Sequence, residues 1–217
     1  MAFKSSKDKV LIINDQKYEV VITYKPLKKT IAYRFRDGKF VVSAPTFCPF
    51  NEIEKGLVKF APRLLKASNK PSPYFDDKVY IFGYIYSLED GEVTFPNGKT
   101  ILFESKEQFE KKLKKVFLEV VTELVRINEI KMKIPPNNVK VRKMKTRYGS
   151  NSKKTKTITI AFELVHYELD IVNAIVIHEL AHCLVFDHSK KFYDVVHRYC
   201  PNYKELHKSL RKGEFRR

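Results

Sequence analysis

Residues 174–184, AIVIHELAHCL, are apolar at every position except His178, Glu179 and His182. A helix that is apolar on all sides is stable only where other elements cover it all round, so this stretch demands a domain built about it. A helix turns about 100° per residue, which stacks histidines four apart one turn above the other on a single face. One ion can then touch both imidazoles. Glu179 lies a further 100° or so round, within reach of a water on such an ion without being a ligand itself. If the three were ordinary core residues, each would be a buried polar group costing about 1–3 kcal/mol without a partner. A metal removes that cost for the histidines and gives Glu179 a partner. His188 follows six residues after His182, and the 178, 182, 188 spacing suits a three-histidine zinc site; the competing reading is a solvated loop histidine.

A chain of 217 residues can bury a full core, and one compact domain, or one with a small N-terminal lobe, is expected. No apolar run approaches the roughly 18 residues that span a bilayer, so no membrane partner is expected. The N-terminal MAFKSSKDKVLIINDQ has only four consecutive apolar residues, too few for the core of a signal peptide, which points to a cytoplasmic location. Cys48, Cys183 and Cys200, odd in number and widely spaced, argue against a disulfide framework. Cys183 is expected to pack.

The net charge of +17 favours polyanionic partners, nucleic acid or nucleotide, through long-range attraction and counterion release. Solvated lysine-rich faces yield the same number. Cations are densest in KVRKMKTRYGSNSKKTK, residues 140–156, just before the strand that leads into the histidine helix, where they can border a cleft.

The first half of the chain reads as β-rich. KVLII, YEVVITY, TIAYRFR and KFVVSA are short β-branched and aromatic runs, the last two joined by the hairpin signal Asp37-Gly38. A helix is expected over 51–68, with a capping box of Asn51 and Glu54, a stripe of Ile53, Leu57, Val58, Leu64 and Leu65, and a kink at Pro62. SNKPSPYF, residues 68–75, reads as a linker. Strands follow in KVYIFGYIYSLED and GEVTFPNGKTILFE, with turns at Asp90-Gly91 and Asn97-Gly98. The second half is helical. Phe109, Leu113, Val116, Phe117, Val120, Leu124 and Ile127 recur at helical spacing in one long amphipathic helix, ended by Pro135-Pro136. A strand near Val139 and Val141, the loop TRYGSNSKKTK and the alternating strand TITIAFEL lead into the histidine helix near Glu168 to Asp170. A last helix over 192–199 gives way at Pro201 to a short basic tail. The expected fold is α+β: a β-rich N-terminal half, then a small zincin-like half of helices and sheet with an HExxH helix. The expected boundaries are 1–70 for the lobe and 76–217 for the metal-dependent hydrolase core, the two forming one continuous domain.

In DGKFVVSAP, RYGSNS, TITIAFELV, VIHELAHCLVFDHSKKFY and the terminal PNY, the chain resembles the YgjP-like metallopeptidase family, related to the SprT-like zincins, over nearly its whole length. The resemblance implies that His178, His182 and His188 bind Zn²⁺, that Glu179 is the catalytic base, and that the substrate is a polypeptide. The family's loop usually reads R-W-G-S-C, where this chain has Arg147, Tyr148, Gly149, Ser150 and Asn151, and Tyr193 stands where the family usually has Trp. These departures touch substrate contacts rather than the metal ligands.

The expected activity is zinc-dependent hydrolysis of peptide bonds through a metal-activated water, with Glu179 as base. Arg147, Tyr148, Tyr193 and His197 are candidates for stabilising the oxyanion or contacting substrate. Two alternatives stand beside it: a metal-dependent hydrolase of nucleotides or other phosphate compounds, and a basic nucleic-acid-associated module with a structural zinc. The last fits poorly with Glu179, because structural sites close the fourth position with Cys or His.

Overall fold

The computed structural model describes residues 9–13, 16–68, 71–144 and 146–216. The chain divides at residue 70 into two compact units. All of MAFKSSKD, residues 69 and 70 of the expected linker and Lys145 of the basic segment lie outside the described residues.

The first unit is a four-stranded sheet carrying one helix. Strands β1 (Lys9–Ile13), β2 (Gln16–Lys25), β3 (Ala32–Arg36) and β4 (Lys39–Pro45) take the order β1-β2-β4-β3, and α1 (Phe50–Ser68) follows. Asp37 and Gly38 close β3 on β4 with φ of 50° and 75°, the left-handed pair that a two-residue hairpin requires. The helix buries Ile53, Leu57 and Ala61 against Phe40, Val42 and Ile22. Two expectations fail here. Val58 is 60% exposed, because the i, i+4, i+8 row 53, 57, 61 faces the sheet and 58 lies beside it. Asn51 is already inside the first turn, since Ile53 N–H bonds the carbonyl of Pro49, so it cannot cap. The helix runs on through Pro62.

The second unit opens with small antiparallel pieces: β5 (Tyr74–Phe75), β6 (Lys78–Ile81) and β7 (Tyr84–Ser87) in one sheet, β8 (Glu92–Thr94) and β9 (Thr100–Leu102) in another. Helix α2 (Lys106–Met132) starts on a side-chain cap, with the Gln108 N–H donating to Ser105 Oγ at 3.2 Å. Its stripe drifts from the expected one: Phe109, Leu113, Val116 and Phe117 are buried, and Val121, Val125 and Met132 then replace Val120, Leu124 and Ile127. Over 27 residues a 3.6-residue period moves the buried line by about one position relative to strict three-and-four spacing.

The strands β10 (Asn138–Arg142), β11 (Gly149–Ser152) and β12 (Thr157–Ala161) form a sheet of order β10-β12-β11, with β10 parallel and β11 antiparallel to the central β12. This corrects the sequence reading twice. The stretch expected to be a loop, TRYGSNSKKTK, contains an edge strand, and β12 is buried at all five of its positions rather than at alternate ones, as a central strand covered on both faces must be. It ends at Ala161, and Phe162–His166 turn into a 3-10 helix.

Helix α3 (Leu169–Leu184) crosses the middle of this unit, packed against α2, β11, β12, α4 (Lys190–Tyr199) and α5 (Tyr203–Lys212). Ile171, Val172, Ile175, Val176, Ile177, Leu180 and Ala181 are all buried. Each large aliphatic side chain fully withdrawn from water contributes about 1.5–3 kcal/mol, and α2 and α3 together supply much of the core of this unit. Asn128 Nδ2 donates to Asn173 Oδ1 at 2.7 Å and ties α2 to α3 where both are polar. The expected basic tail is α5, which buries Tyr203, Leu206 and Leu210 and ends on Gly213 in the left-handed conformation. Among the described residues no helix is long and apolar enough to cross a membrane.

Candidate metal centre

The helical spacing puts His178 and His182 on one face of α3, and the turn into α4 brings His188 back over them. One nitrogen from each of the three lies within 4.8 Å of the others. His178 Nε2 and His188 Nε2 are 3.2 Å apart. Two nitrogens held about 2.0–2.1 Å from one tetrahedral ion stand roughly 3.3–3.4 Å apart, so this edge already has the dimension of a zinc site.

The outward nitrogens are held as well. His182 Nδ1 donates to the Phe186 carbonyl at 3.0 Å, which leaves Nε2 as the lone-pair nitrogen. His178 Nδ1 and the Tyr203 hydroxyl are 2.9 Å apart. Partners of this kind fix the tautomer and orientation of a metal-binding imidazole. Behind the cluster stands Phe192, fully buried, with its ring centre 4.9 Å from that of His178, 4.6 Å from His182 and 4.8 Å from His188. Burial, and then the neighbouring imidazoles, hold His178 down at about 3. Burial and His188 push His182 in the same direction. Neutral imidazoles are the form that binds a metal, and the donor set fits a borderline ion such as Zn²⁺.

Glu179 is 6% exposed. Burial raises its carboxyl to about 7 against the pull of Arg147. The carboxylate reaches the cleft because β11 offers no side chain at Gly149, where an added Cβ would stand 2.5 Å from Glu179 Oε1. The strand is fastened to the same helix by Asn151, whose Nδ2 donates to the Glu179 carbonyl at 2.8 Å and to Cys183 Sγ at 3.1 Å. Cys183 therefore packs, as expected, and also accepts a hydrogen bond.

These groups line an open cleft of about 740 Å³. Of the sequence candidates, the fold brings His178, Glu179, His182, His188, Arg147 and Tyr148 to it. Tyr193 and His197 do not line it: Tyr193 sits on α4 with its ring 6.3 Å from that of His188, and His197 approaches the ring of Tyr203 at 6.2 Å. Sequence reasoning missed Tyr203, His207 and Phe186 as cleft residues. A charged helix after Pro201 hid the first two, although its i, i+4 spacing was the signal that could have found them. At the rim, Lys153 Nζ stands 4.9 Å from the Phe186 ring centre, joining the β11–β12 turn to the loop after α3.

A family model described as YgjP-like, metallopeptidase domain, matches residues 97–213, more than half of the chain; the N-terminal DGKFVVSAP hairpin lies outside it. No curated protein matches. Among solved structures, the metallopeptidase zymogen of Pyrococcus abyssi abylysin is 27% identical with a TM-score of 0.41, covering 44% of this chain and 96% of that one. The metallopeptidase zymogen of Methanocaldococcus jannaschii jannalysin is 24% identical with a TM-score of 0.38, covering 42% and 92%.

Proposed function

The chain belongs to the YgjP-like metallopeptidase family, and from that premise we propose that it is a zinc peptidase in which His178, His182 and His188 hold the ion and Glu179 is the general base. The observation that carries this reading is the convergence of three imidazole nitrogens within 4.8 Å beside a buried carboxylate in one cleft. When bound there, zinc supplies a Lewis acid and draws the pKa of a water toward about 7.

The chain's own residues do the rest. Glu179 takes a proton from the attacking water and returns it to the leaving amine. Among the described residues β11 pairs with β12 alone, so its second edge is open for an extended polypeptide to add as a further strand, which sets a peptide bond against Glu179. Tyr148, at the head of β11, meets the carbonyl oxygen as charge develops on it, and Arg147 beside it contacts the substrate. The test is to supply zinc-loaded protein with unfolded polypeptide and, separately, with nucleoside triphosphates. New peptide amino termini are expected, and phosphate release without them would replace this reading by the phosphohydrolase one.

Two variants probe the supports. Tyr203→Phe removes only the oxygen that orients His178. Zinc affinity should fall about 10- to 100-fold, the usual effect of losing an outer partner, and competition with a chromophoric chelator measures it. Unchanged affinity would make Tyr203 a packing residue. Gly149→Ala drives a methyl into Glu179 and should lower kcat roughly 10- to 100-fold, as small misplacements of a catalytic group do, with zinc content unaltered by elemental analysis.

A further inference from the structure

Helix α5 presents Tyr203, His207 and Arg211 four residues apart, hence in one row along its length. The first two line the cleft, and their rings stack with centres 5.5 Å apart and planes 21° apart. The third continues the row outward. On the other wall Arg147 lines the cleft at the head of β11. Both arginines are exposed, and neither forms an ion pair among the described residues. Among the described residues, the acidic groups lining the cleft are Glu179, which is buried, and Asp187, which is exposed. Lysine supplies most of the chain's 42 cations, and Lys153 stands at the rim against Phe186, but only Arg147 and Arg211 bring a planar fork that matches a carboxylate on two donors at once.

We propose that this cleft selects polypeptides carrying a glutamate or aspartate close to the scissile bond, with Arg211 at the end of the α5 row and Arg147 at the head of β11 as the groups that receive the carboxylate. The inference rests on the peptidase reading and names its substrate class. The charges reach into the cleft: Arg211 acts on Tyr148 and His207, and Arg147 on Glu179. Arg211 stands about 12 Å along the helix from Tyr203 at 1.5 Å per residue, which an extended chain covers in about four residues. The acidic residue is therefore expected within about four positions of the bond that is cut.

The experiment uses pairs of peptides identical except for Glu or Gln at each of those positions. Two readouts are taken: kcat/KM with wild type, and Kd by fluorescence anisotropy with Glu179→Gln, which binds without cutting. The Glu peptide should be favoured roughly tenfold at the best position, the effect of one charge-assisted hydrogen bond. In Arg211→Gln that ratio should fall toward one, and in Arg211→Glu it should invert in favour of a Lys-containing peptide. Lys115→Gln, at an exposed position of α2 that does not line the cleft, should keep the ratio. Equal binding of the Glu and Gln peptides overturns the proposal. So does equal loss of preference in Lys115→Gln, which would assign it to the overall field of the +17 chain. Displacement of both peptides alike by a single-stranded oligonucleotide, with no preference between them, would make the surface a nucleic-acid site instead. If Glu179→Gln prefers the Glu peptide while wild type cuts neither, the selectivity stands and the peptidase reading falls.

Discussion

Replacing Glu179 by Gln is expected to lower peptide hydrolysis by roughly a hundredfold or more, the effect of removing a general base, while zinc content stays at that of wild type. The two side chains have the same shape, and the site at Gly149 that admits one admits the other. Only the ability to take a proton is lost. The carboxyl is raised to about 7 by burial, so its charged form is disfavoured in the folded chain. Its contribution to stability is fully present below the ordinary Glu value and is lost as pH rises through about 7. Metal-free Glu179→Gln should therefore melt no lower than metal-free wild type near neutral pH and above. Elemental analysis, turnover and thermal melting on one preparation check all three. Loss of zinc along with activity would make Glu179 a ligand, and full activity would move the chemistry elsewhere.

The second large effect is expected at His182. His182→Ala leaves two imidazoles on the ion and opens a coordination position, so zinc affinity should fall by more than the roughly 10- to 100-fold cost of losing an outer partner, with activity lost in step. His166→Ala and His207→Ala are the informative comparisons. His166 is buried against the Tyr80 carbonyl at 2.7 Å, and His207 lines the cleft, yet neither belongs to the three-nitrogen cluster. Both should retain zinc. Equal retention in all three variants would end the assignment of the ligands.

How much of this was legible beforehand depends on how local each signal is. The pairing of His178 with His182 on one helical face is a property of eleven residues, and it survives whatever surrounds them. His188 needed the turn into α4 to bring it back, which spacing suggested and the fold supplied. The edge strand β11 was invisible, because Gly149, Ser150, Asn151 and Ser152 carry no alternation of apolar and polar residues. Their extended shape comes from pairing with β12 and from the clearance Glu179 needs beside Gly149. Helix α5 was read as a tail because charged residues dominate it; its buried face of Tyr203, Leu206 and Leu210 makes sense only once α3 is there to cover. The drift of the buried stripe on α2 is likewise a tertiary effect, a straight helix presenting successive turns to different neighbours.

Phe192 gives the histidine cluster a common backstop. A single fully buried ring stands within 5 Å, centre to centre, of all three imidazoles, so protein atoms alone restrict their rotamers. An arriving ion then has little side-chain freedom left to remove, and less of its binding free energy is spent on ordering. Small zinc domains that gather their ligands only as they fold make uptake and folding one event. In the proposed site the two would be separable: the packing of one phenylalanine preorganises the imidazoles, and exchange of an ion with solvent would be a local matter at the exposed His188 rather than a property of the whole chain.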